Sequence, residues 1–228
     1  MSVLHQVAYW THDTVANNWP ASFDIMQLLL SAFDDAGVVN ELCPEIGTPL
    51  CIAVMYLNVD FVRLLLQKKA DPSIGLDLVI VERIAKSIGV ERKPTGTPLD
   101  LSLLTYEGII LKLEGINHDA ITNVAPIERL FSTAGEIVQL LLLLERDEGM
   151  LQLWTALQAR KDQLLATMKQ AMSSGKHIAR NINEKPVDLS VLTEEKPSGW
   201  SEGCEVTGEM ALRTLLRQCR SGFAWPDP

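Results

Sequence analysis

The amino-acid sequence predicts an all-α chain, a helical repeat array of about four irregular repeats with extra inserted helices. Three observations carry this prediction. A helix start, Gly-Thr-Pro-Leu, occurs twice, at Gly47-Thr48-Pro49-Leu50 and at Gly96-Thr97-Pro98-Leu99. A second pattern, two apolar residues, one polar residue and Leu-Leu, recurs without gaps at 25–29 (IMQLL), 61–65 (FVRLL) and 137–141 (IVQLL). The two patterns alternate in order along the chain, which is harder to obtain by chance than a single short match.

Each element has a local reason. Near the N-terminus, Val3-Leu4-His5-Gln6-Val7-Ala8 reads as a first helix and 25–29 as its partner. At the next start, Thr48 is placed to cap a helix. Pro49 suits the first turn, where its missing N–H costs nothing. Phe61, Val62, Leu65 and Leu66 then recur at helical spacing, and Asp71-Pro72 ends the unit. The stretch 76–90 has helical periodicity at Val79, Ile80, Ile84 and Ile88, with Gly89 as a stop. Thr97-Pro98-Leu99 opens the third unit, whose second helix is 137–141. The segment 150–174 reads as one long helix, with an apolar stripe of Leu151, Trp154, Leu157, Leu164, Leu165 and Met168. An isolated stripe must be buried, so this helix is expected to pack on the array. Pro186-Val187-Asp188-Leu189-Ser190-Val191-Leu192 echoes the start at Pro98, and Leu212-Arg213-Thr214-Leu215-Leu216 is a looser last second helix.

The stretch from Gly47-Thr48-Pro49-Leu50-Cys51-Ile52-Ala53 through Phe61-Val62-Arg63-Leu64-Leu65 to Ala70-Asp71-Pro72 resembles an ankyrin repeat over its whole unit. Cys51 stands where that family has His, and Lys69 where it has Gly. Only His5 keeps the family His. The resemblance implies one domain over 1–228, with repeats at about 2–46, 47–95, 96–149 and 185–222. The inserted helices fall at about 76–90 and 150–174. The starts at Leu4, Leu50, Leu99 and Val187 lie further apart than the roughly 33 residues of a standard repeat. The excess falls within the units, at 11–22, 105–126 and 194–203, and in the two inserted helices.

In ankyrin proteins the first helices line a concave groove. Carried over position by position, that groove takes Gln6, Tyr9 and Trp10, then Ile52, Met55 and Tyr56, then Leu101, Leu104 and Thr105, and finally Leu189 and Leu192. The set is apolar and aromatic. Either the inserted helices cover it and it is core, or it is a binding patch for a protein or an apolar small molecule.

Acid/base candidates are few. His5, Tyr9, Trp10, His12 and Asp13 gather two imidazoles, a carboxylate and two aromatics within nine residues. The resemblance assigns His5 a structural bond to loop backbone. Asp100 and Asp188 occupy the same repeat position, where a carboxylate would accept helix-start or loop N–H bonds. A catalytic reading would use His12, Asp13, His5 and Asp100. Hydrolase, nucleotide-loop and zinc-protease motifs are missing from the sequence. No cofactor or metal is implied, and His118-Asp119 and His177 have nothing at ligand spacing.

The formal net charge of −9 argues against non-specific binding to nucleic acid or to an anionic membrane, which needs Lys and Arg to neutralise phosphate. The apolar run at 140–144 is far too short to span a bilayer. Cysteines at 43, 51, 204 and 219 form no CxxC pair, and Cys51 reads as a buried small hydrophobe. With no basic and apolar leader at the N-terminus, the expected location is the cytoplasm, the nucleus being the alternative. Two functions fit. One is a binding protein offering its groove to a protein or small molecule. The other is an enzyme doing acid/base chemistry (isomerisation, dehydration or cyclisation) on an apolar small molecule. Oligomeric state is left open.

Overall fold

A computed structural model describes residues 4, 5, 8, 21–32, 36–116, 118, 121 and 123–173. Gln6, Tyr9, Trp10, His12, Asp13, Asp119, His177, Asp188, Leu189, Leu192 and the repeat expected at 185–222 lie outside these residues. Among the described residues the regular elements are helices. They are α1 (Ala21–Ala32), α2 (Ala36–Val39), α3 (Pro49–Met55), α4 (Val59–Gln67), α5 (Leu78–Ile88), α6 (Pro98–Glu114), α7 (Ala125–Glu145) and α8 (Glu148–Ser173).

The two Gly-Thr-Pro-Leu starts adopt one conformation. Gly47 and Gly96 have φ of 81° and 83°, in the left-handed region that favours glycine. Thr48 and Thr97 follow in extended geometry, and their hydroxyls accept from the N–H of Cys51 and of Asp100. Pro49 and Pro98 occupy the first helical turn. Asn58 caps α4 through Phe61 N–H, and Asp77 caps α5 through Val79 N–H. Lys69, standing where the family has Gly, has φ of 63°. The turn there keeps its left-handed residue although the side chain is wrong for it.

Packing follows the repeat plan. The first helices α3 and α6 lie against each other, and so do the second helices α4 and α7. Within each unit α3 packs on α4, and α6 on α7. The 76–90 insertion explains how this stacking survives a lengthened period. Leu76 N–H donates to Gly96 O at 2.9 Å, so the chain leaves and returns at one point, and α5 sits on α6 as an excursion. The closeness needs glycine, because a Cβ on Gly75 would stand 2.2 Å from Gly96 O.

The third unit stores its extra length in helix. Its first helix runs over Pro98–Glu114, and its second helix starts at Ala125, well before the apolar pattern at 137–141. The continuous apolar spacing of Leu103, Tyr106, Ile110 and Leu113, all buried, is what prolongs α6. The helix α8 packs on α6 and α7. It buries Trp154, Leu157, Leu164 and Met168, while Leu151 stays 51% exposed. An Arg160–Glu114 ion pair, 2.7 Å from Nε, fastens it to the end of α6. No helix among the described residues is long and apolar enough to cross a membrane.

Candidate functional site

Among the described residues, the three at the family His position all hold loop backbone. His5 is fully buried, and its Nε2 lies 3.0 Å from Gly47 O. A carbonyl only accepts, so that nitrogen carries the proton. Burial lowers the His5 pKa, which keeps the ring neutral. Cys51 points its thiol at Ile74 O, 3.7 Å away, and burial pushes that thiol up. Asp100 is fully buried. Its Oδ2 accepts from Thr95 N–H at 2.6 Å and Gly96 N–H at 3.0 Å, and its Oδ1 accepts from Arg92. The loop N–H bonds expected at this position are therefore present. Arg92 also binds Glu107 at 3.1 Å, closing this end of α6 with a charge-assisted network.

The groove positions on α3 and α6 are buried within the chain. Ile52, Leu101 and Leu104 are each 1% exposed and Tyr56 is 9% exposed. Met55 is half-buried against the same core.

An open cleft of about 740 Å3 lies instead between α7 and α8. The α7 wall presents Glu128, Ser132, Glu136 and Gln139, and the α8 wall Gln158, Asp162, Leu165 and Lys169. Each wall is one helix face, since these positions repeat every three or four residues. The floor is an aromatic cluster. Tyr106 meets Trp154 edge-on at 4.8 Å and Phe131 at 5.1 Å between centroids. The Tyr106 hydroxyl accepts from Gln158 Nε2 at 2.9 Å, and burial raises the phenol pKa, so it stays protonated. Gly135 makes room for the floor, since a Cβ there would stand 3.3 Å from the Trp154 ring. A Glu128–Lys169 pair at 2.6 Å spans one end. Outside the cleft, the last turn of α7 and the first turn of α8 carry Leu143, Leu144 and Leu151, at 75%, 53% and 51% exposure.

The cleft offers amide, hydroxyl and charged groups over an aromatic floor. Among the described residues no three His, Cys, Asp or Glu side chains converge for a metal. Sequence reasoning missed Tyr106, Gln158 and the α7 wall. Their one-dimensional signal is only that of a helix with a polar face, and the cleft exists because α8 folds back.

Comparison with protein families matches residues 47–75 to the ankyrin repeat, so the chain carries a repeat of that family there. No curated protein and no solved structure matches the chain.

Proposed function

We propose that this chain is a protein-interaction module of the ankyrin type, seating an extended or helical segment of a partner polypeptide in the α7–α8 cleft. The repeat at 47–75 supports an interaction role, as arrays of this family generally serve one. The observation that carries the choice of seat is the contrast in exposure. The described groove positions on α3 and α6 are spent on the core, whereas the cleft keeps exposed hydrogen-bonding side chains over a rigid aromatic floor. A surface of this kind gains affinity from rigid aromatics backing adaptable polar groups. Of the four acid/base candidates, the two among the described residues, His5 and Asp100, are occupied with loop backbone. The enzymatic alternative therefore gains no support from them.

The test is peptide selection from a random library on the full chain, followed by affinity measurement on two variants. Ser132→Trp fills the cleft from an exposed position, and Lys86→Trp changes an exposed position on α5. The cleft variant is expected to lose affinity at least about tenfold, or about 1.4 kcal/mol, with the control unchanged. Equal affinity for both variants would count against the cleft.

A further inference from the structure

One side chain at the end of α7, Glu145, reaches the start of α6. Helix starts leave N–H groups without helical partners. At α6, Thr97 takes the Asp100 N–H, and the Leu99 backbone lies beside the Glu145 carboxyl. One Glu145 oxygen, Oε1, has no solvent access and no hydrogen-bond partner. It is the sole such side-chain atom among the described residues. Two carboxylates face Glu145, Asp147 across the turn and Asp100 at the start of α6. Of the charged groups around them, Arg92 is committed to Asp100 and Glu107, while Arg146 and Glu148 are exposed to solvent. Negative charge reaching Oε1 would therefore have no donor and would lie among like charges, and a neutral carboxyl at the same place costs less.

We propose that Glu145 is a proton-operated latch between α7 and α6, closed when its carboxyl is protonated and loosened when it ionises. Burial, and then the charge of Asp147, raise its pKa to about 7, so the transition falls where pH is physiologically adjustable. The element that loosens is the α7–α8 turn. That turn opens with a left-handed residue, Arg146 at φ 51°, and Asp147 then caps the start of α8 by accepting from Met150 N–H at 3.0 Å. The last turn of α7 and the first turn of α8, which flank it, carry the exposed Leu143, Leu144 and Leu151. This inference stands on the latch geometry and does not depend on the binding reading.

The test is amide hydrogen exchange of the full chain at pH 6 and pH 8, corrected for intrinsic chemical exchange. With a closed-state pKa of about 7 and an open-state value near 4.5, protection over 141–150 should fall about tenfold between the two pH values. In Glu145→Gln, which stays neutral at both, the fall should disappear while protection elsewhere is unchanged. Equal protection at the two pH values in the wild-type chain would overturn the proposal, and so would an undiminished fall in the Gln variant. Carbon-13 titration of the Glu145 carboxyl gives an independent check. A midpoint near 7 supports the latch, and one in the ordinary carboxylate range removes it.

Discussion

Replacing Asp100 separates a structural carboxylate from a chemical one. Its two oxygens divide the work, Oδ1 taking Arg92 and Oδ2 taking the Thr95 and Gly96 N–H groups. Asp100→Ala would leave two loop N–H groups unpaired at a fully buried position and strip Arg92 of one of its two acids. Each lost backbone bond costs about 1 kcal/mol, and breaking a buried charge pair costs about 3 kcal/mol or more. Glu107 remains on Arg92 and softens the second loss, so the total is about 3–5 kcal/mol. Asp100→Asn should cost nearly as much, because its NH2 would face a donor whichever way the amide turns. For a chain of this size the loss corresponds to a melting temperature lower by roughly 10 °C, read by calorimetry or circular dichroism at pH 7. A melting temperature unchanged in both variants would refute the structural assignment and return Asp100 to the catalytic candidates.

Other perturbations follow from the same structure. Gly96→Ala should destabilise by about 2 kcal/mol or more, because φ is 83° and the new Cβ would stand 2.6 Å from Leu76 O, as urea unfolding would show. Trp154→Ala should cost about 3–5 kcal/mol and release α8, read as lost hydrogen-exchange protection over 148–173 with α3 and α4 still protected. Tyr106→Phe removes only the bond to Gln158 and should cost about 0.5–1.5 kcal/mol in the same unfolding assay. The pH profile of stability should carry two opposed slopes. Glu145, whose pKa is raised to about 7, contributes stability that is complete below about 4.5 and lost as pH rises through 7. His5, lowered from 6.5, contributes stability that is present above that value and lost on acidification. Glu145→Gln should remove the first slope and leave the second in unfolding curves taken from pH 5 to 8.

What the sequence made legible was local. The caps at Thr48 and Thr97, the prolines behind them and the apolar spacing of 61–65 act within a few residues, and the structure forms their helices. The stop at Gly89 likewise ends α5 in the left-handed conformation. Lys69 shows that a position in a motif outlives its residue, since the backbone stays left-handed without glycine. The 17-residue length of α6 was not legible, because a repeat template of fixed period reads extra residues as insertion. The cleft and Glu145 were not legible either. The cleft depends on α8 returning across α6 and α7. The setting of Glu145 depends on Leu99 and Asp100, which are far away in sequence. A Glu closing a leucine-rich helix gives no local sign of either.

The most direct test of the interaction reading is a hydrogen-exchange footprint of the full chain with a library-selected peptide bound. Added protection on the facing sides of α7 and α8, over 128–139 and 154–169, is the predicted result. Protection confined to α3 and the first half of α6, with the cleft unchanged, would contradict it and return binding to the first-helix groove.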